Sequence, residues 1–509
     1  MARFLKPCVG RTRKSNAIVP ITSHNPKEWP QNIRFKDWKR PQKNWDVWIE
    51  RLAGEHARTW NGAWICDAIM SSRYEIQCNK NLVLGLVEFW CKETNTFVFP
   101  HYEVAVSLED DMILGGFSVL GLAVNSLLPQ ELVRIEEELR KERRENFLKN
   151  KSKKALQSCW MDHFMEKRGE LEHVAFLSLW LSRFVFPPRI ENTIGTHVFP
   201  IAVRLSQGTC LELAPAVLAG LCANLRLLKD HHIGVCNDVS GVFQLVQLWA
   251  FEHFPLLGVK NPRPLEPESF RWRPYGVDLE NWRHFSYYKE NEQWINDGCL
   301  DFDDEMKSFF RCLCACELVG LDCEEKYMSH RVAMQFGMDQ DLPGKFSCVE
   351  FERENVCFYV PSRSFEPGVS LRYLNWWREN KMAQEDATIG VKTTPLCQDK
   401  KKSKENSQLA NTIRDSSDDE IDNTPLSSRL KELKSKRKID DIPCLARLKK
   451  ESVVGNGLSE NVREVKMKPF SDDSNSSDIL WQAWRSYGQR MRRSDKMREK
   501  EREEKAGDS

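Results

Sequence analysis

From Leu171 to Phe184 the apolar positions fall on nearly every face that a helix would present. Leu171, Val174, Ala175, Leu177, Leu179, Trp180, Leu181 and Phe184 leave no polar stripe, and a helix apolar all round must lie inside a large core or in lipid. Lipid is excluded: the run is short of the ~20 apolar residues that a bilayer crossing needs. It also carries Glu172 and Arg183 and stops at Pro187-Pro188. A second apolar run, Val198 to Leu228, follows at once. The pattern predicts two adjacent buried helices at the centre of a core.

Elsewhere the period changes along the chain. Trp45, Trp48, Ile49 and Leu52 recur at helical spacing, and Trp60, Trp64, Ile65, Ala68 and Ile69 continue it in a second helix after Gly62. Leu82 to Trp90 reads as a further buried helix. Thr96 to Phe99 and Glu103 to Ser107 are short β-favouring runs on either side of Pro100-His101-Tyr102 and predict a hairpin. Ser107 and Asp110 have capping-box spacing, which opens a helix over Asp111 to Leu114, and Gly115-Gly116 closes it. Gln130 to Lys154 is a dense run of Glu, Arg and Lys with both favourable (Glu136, Arg140) and unfavourable (Glu138, Glu142) i,i+4 pairs, so it predicts a solvated helix and connector. After Pro255 the aromatic residues Trp272, Tyr275, Trp282, Phe285, Tyr287, Tyr288 and Trp294 predict loops packed by their rings onto the helical body. Asp304 to Gly320 reads as one helix containing Cys312, Cys314 and Cys316.

Beyond Met382 large apolar residues thin out, which is the composition of a chain unable to offset its ordering entropy by burial. The fold class expected is therefore mainly α: one large helical domain with a small β-hairpin element, followed by a disordered charged C-terminal tail. The divisions are a basic N-terminal arm at 1–32, the domain at 33–382 and the tail at 383–509. Ile479 to Tyr487 is a candidate short helix within the tail.

Composition changes this picture little. Lys and Arg number 75 against 74 Asp and Glu, so attraction to nucleic acid or to an anionic membrane must come from local patches. The 17 cysteines are scattered through apolar segments, which favours reduced, buried thiols in a cytosolic or nuclear protein. Arg3, Lys6, Arg11, Arg13 and Lys14 are followed by no apolar stretch, which argues against a secretory signal.

Candidate chemistry is sparse. The Cys312, Cys314, Cys316 alternation would point its thiols around a helix, unlike the Cys pairs on turns that hold zinc, so core packing is expected there and no metal. His231-His232 with Cys236 has the same weakness. Glu109, Asp110 and Asp111 are first-turn acids of the kind that capping and the helix dipole explain, at about 0.3–1 kcal/mol each. Lys39, Arg40 and Lys43, interleaved with Trp38, Trp45 and Trp48, are candidate nucleic-acid contacts, although those tryptophans lie at core spacing. In the tail, Lys434, Lys436, Arg437 and Lys438 followed by Arg447, Lys449 and Lys450 are spaced like a bipartite nuclear import signal. Ser416, Ser417 and Ser474 lie beside acids, as sites for an acidophilic kinase do.

Several blocks resemble one family in order. "EHVAFLSLWLSRFVFP", "HVFPIAVRLSQGTCLELAPAVLAGL", "FQLVQLWAFEHFP", "EEKYMSHRVAMQFGMDQDLPG" and "RYLNWWREN" are similar to successive blocks of the plant mobile domain family, the transposon-related group that includes MAINTENANCE OF MERISTEMS-like proteins. "FLKP" at Phe4 to Pro7 is similar to its leader, and the resemblance covers roughly Ile33 to Asn380. The chain departs from the family at His101-Tyr102-Glu103, where a Trp-Gly-Glu turn is usual. The resemblance implies a non-enzymatic nuclear protein connected with transposable-element silencing, gene-expression control and meristem maintenance. The implied partners are nuclear proteins, with a phosphatase-like or chromatin protein as candidates, and nucleic acid; no membrane is implied. The alternative is an enzyme, either a retained transposase-like nuclease or a pyridoxal-phosphate enzyme, since the family is sometimes labelled aminotransferase-like. That label would require a Schiff-base lysine and a phosphate-gripping site. The chain has no Gly-rich phosphate loop after a strand, so no catalytic residue and no cofactor are expected.

Overall fold

The computed structural model describes residues 3–5, 33–149, 153–230, 238–258, 270–277, 284–296, 303–348 and 356–392. After two short strands, β1 (Arg3–Leu5) and β2 (Arg34–Phe35), the first tryptophan repeat forms α1 (Trp45–Gly62) and buries Trp45, Trp48, Ile49, Leu52 and Trp60 along one face. Trp60 belongs to this helix and not to a second one, because it precedes Gly62, the last residue of α1. The break falls at Trp64, whose φ of 56° is left-handed, and α2 (Cys66–Ser71) then turns Ala68 and Ile69 inward. The next helix, α3 (Lys80–Glu88), is capped by the Asn79 side chain, which accepts from Leu82 N at 3.1 Å.

The helix expected to reach Trp90 ends sooner because Trp90 is needed as a strand. β3 (Trp90–Cys91), β4 (Thr96–Val98) and β5 (Glu103–Val104) form an antiparallel sheet in that order, so the hairpin gains a third strand. The capping box at Ser107 and Asp110 is present and opens α4 (Leu108–Gly115), three residues earlier than the sequence suggests. Gly116 closes α4 at φ 69°, and a Cβ there would stand 2.7 Å from Ala68 N, so both dihedral and space demand glycine.

The charged run forms α5 (Val133–Lys149), in which Leu139 alone is fully buried. α6 (Gln157–Lys167) leads to α7 (Glu172–Trp180), whose every residue is buried, and a π-helical turn, Leu181–Val185, continues it. The second apolar run divides in two at Gly208, φ 77°, into α8 (Phe199–Ser206) and α9 (Leu213–Asp230). β6 (Asp238–Val239) pairs parallel with β2 and precedes α10 (Gln244–His253).

α1 docks on α7 through paired indoles. Trp48 Nε1 donates to Glu172 Oε1 at 2.7 Å, Trp60 Nε1 donates to His173 Nε2 at 2.9 Å, and Trp45 stacks on Phe176 at 5.0 Å. The Trp48 and Trp60 N–H groups thus find acceptors on the first turn of α7, Trp45 Nε1 donates to Ser72 Oγ at 3.0 Å, and the three rings supply apolar area. Burial, and then the stacked His56 ring at 3.8 Å, hold His173 down at about 3, so it stays neutral and able to accept. Arg183, buried below, gives Nη1 to Gln157 Oε1 at 2.7 Å and Nη2 to the Arg40 carbonyl at 2.6 Å.

The aromatic segment after Pro255 packs by its rings, with Tyr275, Phe285, Tyr287 and Tyr288 all buried. It is not loop throughout, since Trp294 lies in β7 (Gln293–Asn296) and is 44% exposed; Trp282 lies outside the described residues. The long helix expected over the cysteine triplet also fails. α11 (Asp304–Leu313) stops where Cys314 takes an extended ψ of 118°, and β8 (Cys316–Val319) pairs with β9 (Glu324–Tyr327). Along Cys316-Glu-Leu-Val319 burial alternates, which is the period of a strand with one face on the core. β10 (Val356–Val360) then lies between β1, parallel, and β7, antiparallel. α12 (Leu371–Lys392) anchors Tyr373 and Trp377 against Cys91 and Val98 and runs past residue 382, where the sequence placed the end of the domain. The remainder of the tail lies outside the described residues. Among the described residues no helix is long and apolar enough to cross a membrane.

Candidate functional site

The densest group of titratable side chains gathers around the first turn of α4. Glu109, Asp110 and Asp111 lie in the first turn of α4, where Asp110 completes the capping box, and they are 3%, 1% and 0% exposed. Asp110 is saturated. Its Oδ2 accepts from Ser107 N at 2.7 Å and Ser107 Oγ at 2.6 Å, while Oδ1 accepts from Tyr275 OH at 2.6 Å and lies 3.0 Å from His253 Nε2. The other ring nitrogen of His253, Nδ1, meets the Arg271 carbonyl at 2.7 Å. Glu109 Oε1 accepts from Tyr288 OH at 2.8 Å, and the Arg273 guanidinium stacks over that tyrosine ring at 4.7 Å. Both oxygens of Asp111 are buried with no hydrogen-bond partner.

Electrostatics follow from that burial. Desolvation, assisted by Asp110, pushes Glu109 up to about 7 against the opposing hydrogen bond from Tyr288. Desolvation, and then the neighbouring Asp110 carboxylate, likewise raise Asp111 well above its ordinary value. The sign for Glu109 is set by linkage: between its ordinary value of 4.5 and about 7 the folded chain holds a proton that the unfolded chain has released. Stability from this group is therefore full below about pH 4.5 and is lost as pH rises through about 7. Glu109→Gln is expected to remove that slope, so thermal melts of wild type and variant should diverge progressively between pH 5 and 8. Parallel melting curves would show that Glu109 is ionised in the fold.

A second buried network joins the small sheet to the segment His330 to Asp341. Arg331 grips Glu103 with two bonds, Nε to Oε2 at 2.8 Å and Nη2 to Oε1 at 2.6 Å, and both side chains are at most 1% exposed. Thr96 Oγ1 adds a third donor at 3.0 Å. Gln335 pairs with Ala105 as a strand would, donating Nε2 to its carbonyl and accepting from its N–H, both at 2.8 Å. Gln340 takes the Ala333 N–H at 2.9 Å and gives Nε2 to the His330 carbonyl at 3.0 Å. These amides satisfy irregular backbone that has no helix or sheet to do so.

The residues singled out in the sequence are dispersed. Lys39 pairs with Glu191 at 2.8 Å, Arg40 pairs with Glu75 at 2.9 Å, and Lys43 is exposed. Trp45 and Trp48 point into the core, so no alternating basic and aromatic surface forms there. Cys312, Cys314 and Cys316 are buried thiols; burial raises all three, Cys314 to about 12. Among the described residues no three of His, Cys, Asp or Glu are grouped to hold a metal. His231, His232, Cys236, the basic clusters from Lys434 to Lys450, and Ser416, Ser417 and Ser474 lie outside the described residues. The polar centres His253, Tyr275, Tyr288, Glu103 and Arg331 do not stand out in the sequence. A buried His253 inside "QLVQLWAFEH" was the one local signal for them.

The geometry defines a mainly α domain whose acids serve internal order, with small sheets pinned by a buried ion pair. The chain belongs to the plant mobile domain family, whose profile matches residues 65–378. It is similar to the serine/threonine-protein phosphatase 7 long form homolog of Arabidopsis thaliana, 23% identical over 53% of this chain and 22% of that protein. It is also similar to Protein MAIN-LIKE 2 of Arabidopsis thaliana, 24% identical over 53% of this chain and 43% of that one. The chain thus spans less than half the length of these relatives. No solved structure matches it.

Proposed function

We propose that this chain is a non-enzymatic nuclear protein that acts by binding nuclear proteins or nucleic acid, in transposable-element silencing, gene-expression control and meristem maintenance. The observation that carries this reading is the state of the α4 acids. A catalytic carboxylate must reach its substrate, whereas Glu109, Asp110 and Asp111 are at most 3% exposed, and Asp110 spends four contacts on neighbours within the fold. The family membership and the likeness to Protein MAIN-LIKE 2 support the same reading.

The import signal supplies the test. Two Lys/Arg clusters on a Pro-containing spacer suit an importin groove, which holds extended basic chain by charge and by packing of the aliphatic stems. At 59.4 kDa the protein would cross the nuclear pore slowly by diffusion. In a fluorescent fusion, replacing Lys436, Arg437, Lys438, Arg447, Lys449 and Lys450 by Ala is expected to move the protein to the cytoplasm. A wild-type fusion excluded from the nucleus would overturn the nuclear reading. Nuclease or phosphatase turnover by the purified chain, abolished by Glu109→Gln, would overturn the non-enzymatic one.

A further inference from the structure

We propose that the C-terminal half of α5, with the exposed Lys153 and Lys154, forms a docking face for the phosphate backbone of duplex nucleic acid. This rests on the reading of the chain as a nuclear binding protein and names one partner and its surface. Between Arg140 and Lys149 the helix carries Arg140, Lys141, Arg143, Arg144 and Lys149 against Glu142 and Glu145, and Lys153 and Lys154 follow. What distinguishes this run from an ordinary solvated face is where its acids go. Glu142 turns inward to His163 at 3.0 Å and to Lys167, Glu145 pairs with Lys149 at 3.4 Å, and Glu136 pairs with Arg140 at 2.6 Å. Arg143 is likewise used internally, on the Ile194 carbonyl at 2.7 Å.

Lys141, Arg144, Lys153 and Lys154 remain exposed and have no acidic partner among the described residues. Lys141, Arg144 and the 59% exposed Leu148 share one helix face at i, i+3 and i+7, with Glu137 as the acid at its N-terminal end. The helix dipole accounts for cations only in the last turn, so it explains Lys149 and leaves Lys141 and Arg144 unexplained. Lys39 and Arg40 make the contrast, since each is neutralised by a glutamate of the same chain.

The chemistry favours a duplex. No fully exposed aromatic ring lies on this face, Phe147 being half-buried, so it lacks the stacking platform that single strands use. Contacts from cations to phosphate carry no sequence preference. From Lys141 to Arg144 the helix rises about 4.5 Å, and a duplex offers about one charge per 1.7 Å of axis, so the spacing of these two cations suits neighbouring phosphates.

The test is fluorescence anisotropy of the full chain on a short mixed-sequence DNA duplex. Four phosphate contacts predict that affinity falls on the order of 100-fold between 50 and 200 mM salt. Replacing Lys141, Arg144, Lys153 and Lys154 together by Ala is expected to weaken binding at least about 10-fold at 50 mM salt and to flatten the salt dependence. These positions are exposed, so the melting temperature should not move. The six-residue tail variant controls for the tail clusters and should keep the part of binding that depends on α5. Wild-type strength in the α5 variant, or no binding by wild type at 50 mM salt, would overturn the proposal. So would polyglutamate competing as well as DNA at equal charge, which would assign the face to an acidic protein. Localisation separates the two readings: the α5 variant should stay nuclear, and loss of duplex binding leaves the import result untouched.

Discussion

Arg331→Ala is expected to destabilise the domain by about 3–5 kcal/mol, the cost of leaving a buried charge without its partner. Glu103 would remain with its side chain fully buried and only the Thr96 hydroxyl as donor, where it now has a two-pronged guanidinium. Set against a typical folding free energy of about 5–15 kcal/mol, such a loss should lower soluble yield and the melting temperature together. The pair itself need not be net stabilising, because desolvating both ions offsets much of their attraction. The double change Glu103→Gln with Arg331→Met should therefore cost clearly less than Arg331→Ala alone. Equal losses in the single and double variants would show that the pair is not coupled as the geometry requires.

Trp180→Ala is the second large effect, at about 3–5 kcal/mol, from lost transfer energy and from the void left behind. Trp180 is 1% exposed at the end of a helix with no solvent-facing side, so no neighbour can move inward from the surface to refill the space. Trp294→Ala is the matched control. Its ring is 44% exposed beside Tyr359 and should cost less than about 1 kcal/mol. Denaturant midpoints read both, and a Trp180 variant as mild as the Trp294 variant would displace α7 from the centre of the core.

What could be read in the sequence was local. The all-apolar stretch of α7, the tryptophan face of α1 and the capping box of α4 each follow from spacing within a few residues, and each is present. β8 falls inside the helix that the sequence predicts over Asp304 to Gly320, because no glycine or proline before Gly320 marks the end of α11. Apart from His253 on an apolar helix, the polar networks had no local signature. Asp110 finds Tyr275 165 positions later, and nothing near either residue announces the other. The phenolic hydroxyls of Tyr275 and Tyr288 were hidden in a segment that composition identifies only as rings against a core.

The distance that hid those networks also sets when the domain can fold. Ala105 exchanges both of its backbone hydrogen bonds with a side chain 230 residues downstream. At about 5–20 residues per second of synthesis, the segment just after β5 that holds Ala105 waits roughly 10–45 s for Gln335 to leave the ribosome. During that interval its N–H and C=O groups and the Glu103 carboxylate are open to water or to another chain. Docking of the small sheet is thus a late step in biogenesis, and a nascent chain stalled before Arg331 would be the form most in need of a chaperone.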